Sequence, residues 1–164
     1  MNHADKADRS DGADAMTQLI LKTFRANGQL LEVGDRITAP FGLSSARWQV
    51  LGALAGEGRP LAVAQIARRM GLTRQSVRRT VSDLVELGFV ELADNPDHKR
   101  AKLVVLTPLG IETLTEVTAV QAKLAEYLAA DLDPQQLRQT LALLGQVIDR
   151  CESFKSGFSK GDSK

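Results

Sequence analysis

Gly71-Leu72-Thr73-Arg74-Gln75-Ser76-Val77-Arg78-Arg79-Thr80-Val81 is the stretch whose reading decides the fold. A short helix is predicted to end before it at Met70, Gly71 supplies the turn, and the Thr73 hydroxyl caps a second helix. That is helix-turn-helix spacing. At about 100° per residue, Val77, Val81, Leu84 and Val85 fall on one side of the second helix, while Gln75, Arg78, Arg79, Ser82 and Glu86 fall on or near the other. One face packs and the other faces out, with Arg74 between them in the first turn. From Gln65 to Ser82 there are five basic residues (Arg68, Arg69, Arg74, Arg78 and Arg79) and no acidic one, in a chain whose formal net charge is only +1. The positive charge is local, as expected of a surface that meets phosphates. An arginine-bearing amphipathic helix alone is more often a solvated face. Its neighbours decide otherwise.

Downstream of Gly88 the apolar period changes from 3.6 to 2. Residues 89–93 and 101–106 are predicted to be strands, separated by the seven residues Asp94-Asn95-Pro96-Asp97-His98-Lys99-Arg100. A basic hairpin projecting directly after a recognition-type helix is a wing, able to place a cation in a minor groove while the helix occupies the major groove. Upstream, Met16, Leu19, Ile20, Phe24, Leu30, Leu31 and Ile37 recur at helical gaps over 15–38, and Pro40 ends that helix. A second helix starts with Ser44 or Ser45 as cap and runs through Trp48, Val50, Leu51 and Leu54 to Gly56; Glu57-Gly58-Arg59-Pro60 is a turn, and 63–70 is the helix before Gly71.

Two further helices follow. Thr107-Pro108 is a start signal, and Leu114, Val117, Gln121, Leu124 and Leu128 give one continuous face to about residue 130. Asp133-Pro134-Gln135-Gln136 repeats the signal, and Leu137, Leu141, Leu144, Ile148 and Cys151 form a heptad-like seam. The expected architecture is mostly α. Residues 1–14 are a disordered arm, 15–42 and 108–153 a helical dimerisation region, 43–107 a winged helix-turn-helix domain, and 154–164 a flexible tail. A helical hairpin that caps a monomer is the blander use of the terminal helices; a two-fold dimer suits symmetric DNA half-sites better.

Composition sets limits on function. With one cysteine, Cys151, the chain forms no internal disulfide and no cysteine metal cluster, and His3 and His98 are too few and too isolated for a metal site. No metal or cofactor is expected. The first fifteen residues lack the apolar core of a signal peptide, and no apolar run approaches the roughly 20 residues that span a bilayer, so a cytoplasmic protein without membrane contact is expected. An enzyme is disfavoured, because there is no nucleophile motif, phosphate loop or acid–base histidine away from the wing. A winged helix used only for protein contacts is the remaining alternative.

The order of elements resembles the MarR family (multiple antibiotic resistance regulators) of winged helix-turn-helix transcription factors, over about residues 43–110. Leu43-Ser44 with Trp48 and Val50-Leu51 is similar to the family's second helix, and 61–72 with Ile66-Ala67 to the helix before the turn. Leu84, Leu87, Gly88 and Val90 resemble the entry to the wing. Most specific is Asp97-His98-Lys99-Arg100-Ala101-Lys102 followed by Leu106-Thr107 and Gly110, which resembles the family's Asp-x-Arg-Arg wing. Lys99 stands where many members have Arg, Ala62 replaces a hydroxyl cap, and Arg47 sits where Gln or Glu is frequent.

The resemblance implies a homodimer that binds double-stranded DNA. Gln75, Arg78 and Arg79, with Thr73, Arg74 and Ser76 in the first turn, are the expected major-groove residues. Lys lacks the planar fork of Arg, so Arg100 takes the minor groove and Lys99 a phosphate. Arg68, Arg69 and Lys102 are further phosphate candidates, and Asp97 is expected to brace Arg100. The family also implies release by a small aromatic or anionic effector lodged between the dimer helices and the winged domain. Trp48 and Arg47 would offer a stacking surface and a cation there, although a core Trp beside a surface Arg is the commoner use of such a pair. Some members sense oxidants through cysteine. Cys151 continues an apolar seam, and a buried packing role is expected for it.

Overall fold

The computed structural model describes residues 10–98 and 100–161. Helix α1 spans Asp11–Thr38, and a 3-10 turn, Ala39–Phe41, leads to α2, Ser45–Glu57. A two-residue strand β1, Leu61–Ala62, precedes α3, Val63–Met70, and α4, Arg74–Glu86. Strands β2, Val90–Ala93, and β3, Leu103–Leu106, form the wing, and α5, Pro108–Ala129, and α6, Pro134–Gly161, complete the chain.

The turn between α3 and α4 is closed locally. Gly71 adopts φ 65°, a left-handed conformation that costs glycine little, and its neighbour's N–H (Leu72) donates to the Ala67 carbonyl at 2.9 Å. Thr73 is extended, and its hydroxyl accepts from the Ser76 N–H at 3.1 Å. The Ser44 hydroxyl does the same for α2 at the Arg47 N–H. Ala62 cannot cap α3 through its side chain, and only the reciprocal half of a capping box survives: Gln65 accepts from the Ala62 N–H at 2.8 Å.

The core lies where these elements meet. Val50, Leu51 and Leu54 of α2, Ile66 and Ala67 of α3, Val77, Val81 and Leu84 of α4, with Leu61, Phe89, Val90, Val104 and Val117, are all buried. The sheet is antiparallel in the order β1-β3-β2, with Leu61 opposite Val104 on one side and Leu92 opposite Val104 on the other. Leu84 is fully buried. Leu84→Ala is therefore expected to cost about 2–5 kcal/mol, read as a lowered melting temperature.

At the far end of the wing, Thr107 is a joint. Its hydroxyl donates to the Gly88 carbonyl at 2.7 Å and accepts from the Gly110 N–H at 3.0 Å, while its own N–H donates to Phe89 at 3.1 Å. Residue 110 consequently lies against the Phe89 carbonyl, where a Cβ would sit 2.0 Å from the oxygen. Thr107 and Gly110 are thus required by geometry.

Several expectations are corrected. Helix α1 starts at Asp11, inside the stretch 1–14 expected to be a disordered arm, because Ser10 accepts from the Ala13 N–H and Asp11 and Asp14 favour the positive end of the helix dipole. Residues 1–9, with His3, lie outside the described residues. The tail expected from 154 is helical to Gly161, since nothing between forbids the helix, and 162–164 lie outside the described residues. The strands are shorter and the wing loop longer than expected. Cys151 is exposed on α6 within the single chain, as are Leu141 and Ile148 of the same seam.

The chain divides after Gln121 into two units. The first holds the winged domain and α1; the second holds the end of α5, a turn with Asp131 at φ 63°, and α6. In the second unit Asp133 caps α6 through the Gln135 N–H at 2.9 Å. Helix α6 leaves Leu137, Leu141, Leu143, Ile148 and Phe154 exposed.

Candidate nucleic-acid interface

The packing of α4 dictates which of its residues are free. Burial of Val77, Val81 and Leu84 turns Arg74, Gln75, Ser76, Arg78 and Arg79 outward, and all five are exposed. Thr73 is exposed too, but its hydroxyl is engaged as the helix cap. Helix α4 therefore has two polar flanks. Arg74, Arg78 and Ser82 face the wing, and Arg79 and Asp83 lie on the other side, next to α2.

Between α4 and the wing runs a concave surface of about 910 Å³. Arg74, Arg78 and Arg100 stand on it over a floor that includes Val85, Leu92 and Leu103. Arg59, read from sequence only as a turn residue, also lines it, as do Asn95 and His98. The wing tip is ordered by its own turns: the Asp97 N–H donates to the Asn95 side chain at 3.0 Å, and His98 N–H to the Asn95 carbonyl at 3.2 Å. Lys99 lies outside the described residues. Arg100 is exposed, and no ion pair joins it to Asp97 among the described residues, so the expected brace is absent.

Ion pairs separate the cations into two groups. Arg69 pairs with Glu57, which Arg59 also approaches at 3.6 Å. Lys102 pairs with Asp94 and holds that carboxyl below the usual carboxylate range, through a hydrogen bond and through charge. Arg47 of α2 pairs with Asp83 of α4 at 3.0 Å. Arg68, Arg74, Arg78, Arg79 and Arg100 make no ion pair among the described residues. Of the two residues expected at an effector, Arg47 is thus tied to the recognition helix, and Trp48 packs half-buried against the core. Sequence reasoning missed Asp83, because its partner lies 36 positions away.

Residues 41–101 match the MarR family. An uncharacterized protein of Mycobacterium tuberculosis is 38% identical over 136 residues, 83% of this chain and 94% of that one. Among solved structures, the transcriptional regulator BldR from Sulfolobus solfataricus superposes with a TM-score of 0.74 at 20% identity, covering 87% of this chain and 99% of that one. The M. tuberculosis transcriptional regulator MosR, solved in complex with DNA, gives a TM-score of 0.67 at 24% identity over 80% and 96% of the two chains. The winged arrangement of α2 to β3, the basic face of α4 and these likenesses agree, and the chain belongs to the MarR family of transcriptional regulators.

Proposed function

We propose that the protein is a homodimeric, sequence-specific DNA-binding repressor of palindromic promoter sites. The observation that carries this reading is the segregation of cations: Arg69, Lys102 and Arg47 are neutralised by carboxylates, whereas Arg68, Arg74, Arg78, Arg79 and Arg100 are left without one among the described residues. These five cations are exposed on α3, α4 and the wing, where nothing but solvent or an anionic partner meets them. In this reading Gln75, Arg78 and Arg79 enter the major groove, with Arg74 and Ser76 at its edge and Thr73 offering its exposed backbone end. Gln suits adenine and Arg suits guanine, each worth roughly 1–3 kcal/mol of discrimination. Arg100 enters the minor groove and Lys99 meets a phosphate.

Dimerisation is supported by exposed apolar side chains on both sets of terminal helices, Ile20, Leu21, Phe24, Leu30 and Leu31 on α1 and Leu141 and Ile148 on α6 among them. A two-fold dimer places two α4 helices about 34–36 Å apart, one duplex turn. No described helix is long and apolar enough to cross a membrane.

Release by a small aromatic or anionic effector is also proposed. A ligand releases DNA only if it favours a state that DNA does not. The surface between α4 and the wing supports this, since its apolar floor and arginine rim suit an aromatic carboxylate that would displace DNA directly. A redox role for Cys151 has less support, because among the described residues no feature of its surroundings marks it as an activated thiol. The test is selection of bound sequences from random duplexes, followed by sedimentation of the complex. A palindrome bound by two chains is expected; a sequence-indifferent or monomeric complex would refute the reading.

A further inference from the structure

Helix α4 carries arginines at 74, 78 and 79, and Asp83 is the only acidic residue within four positions of any of them along the helix. Asp83 follows Arg79 by four, the spacing at which side chains on a helix meet. An Arg79–Asp83 pair would be the local outcome, and it is not what the structure holds. Asp83 Oδ2 instead lies 3.0 Å from Nη2 of Arg47, which reaches over from α2, and Arg79 makes no ion pair among the described residues. Helix α2 presents Arg47 there because the Ser44 cap sets its first turn and because Val50, Leu51 and Leu54 fix it in the core.

We propose that Arg47 is a positioning residue for DNA recognition: by holding Asp83 it keeps the one carboxylate on that flank of α4 from capturing Arg79 and from facing phosphates uncompensated. The inference rests on the DNA-binding reading above and adds a residue that touches no DNA. Arg47 and Asp83 keep 32% and 40% of their side-chain surfaces exposed, so their pair contributes little to folding stability. Its consequence is for charge at the interface. Without Arg47, Asp83 turns to Arg79 and one phosphate partner is neutralised in each protomer, so the contact surface loses one positive charge per protomer.

Four proteins, read by fluorescence anisotropy on the selected duplex across a salt series, test this. Arg47→Gln keeps the stem packing but removes the charge. It is expected to melt like the parent, to bind about tenfold more weakly and to show a shallower salt dependence. Asp83→Asn alone is expected to bind at least as well as the parent. The double variant Arg47→Gln with Asp83→Asn is expected to recover parental affinity, gaining more over Arg47→Gln than Asp83→Asn gains over the parent; loss of packing or of a direct Arg47–phosphate contact would leave the two gains equal. An unchanged Arg47→Gln, or a double variant as weak as Arg47→Gln, overturns the proposal while leaving DNA binding intact. If the folded parent binds no duplex, the DNA-binding reading falls and the proposal falls with it.

Discussion

Gly110→Ala is expected to lower stability by about 3–5 kcal/mol, which for a chain of this size is roughly 10 °C in melting temperature. The added Cβ would meet the Phe89 carbonyl oxygen at 2.0 Å and its carbon at 3.0 Å. A backbone carbonyl cannot swing aside like a side chain. That carbonyl already accepts from the Thr107 N–H, so relief requires α5 to move off the end of the wing. Gly52→Ala supplies the contrast. Gly52 lies within α2 with nothing inside 4 Å of its Cβ position, so the same methyl is expected to raise stability by up to about 1 kcal/mol through helix propensity. Thermal melts of the two variants side by side separate close contact from propensity.

The second large effect is on DNA. Arg78→Ala combined with Arg100→Ala is expected to weaken specific binding by roughly two to four orders of magnitude without changing the melting temperature. Each arginine is exposed and unpaired among the described residues, so its removal uncovers no core and strands no buried carboxylate. The two residues stand on opposite walls of one concave surface, α4 on one side and the wing on the other. Four contacts are lost, two in each protomer of a two-fold complex, and at about 1 kcal/mol each, the low end of roughly 1–3 kcal/mol, they reach this magnitude. Arg69→Ala is a suitable control, since that side chain is already committed to Glu57. If the double variant binds as the parent does, the placement of the two arginines on DNA is wrong.

Much of the fold was legible because it is locally encoded. Val77, Val81 and Leu84 set the buried side of α4 by spacing alone, and Gly71 and Thr73 marked its start by chemistry that acts within a few residues. The starts of α2, α5 and α6 were readable for the same reason. Strand β1 was not, because two residues carry no period and Leu61–Ala62 is a strand only by virtue of β3 beside it. The candidate site was legible as a set of arginines but not as a sorted set. Nothing near Arg69 or Lys102 in sequence showed that Glu57 and Asp94 would take them. Those partners are set by the turn after α2 and by the hairpin, and Arg47 finds Asp83 only once α2 packs on α4. Cys151 followed its seam, yet it is exposed, because an apolar stripe fixes direction and not whether a partner covers it.

The salt dependence of affinity for the selected duplex tests the DNA-reading function most directly. Each phosphate neutralised contributes about −0.9 to the slope of log K against log salt. With Arg68, Arg74, Arg78, Arg79 and Arg100 available in each of two protomers, a slope steeper than about −4 is expected, a loss of more than two orders of magnitude between about 50 and 200 mM salt. An affinity that stays within about twofold over that range would show that these arginines meet no phosphates and would contradict the assignment.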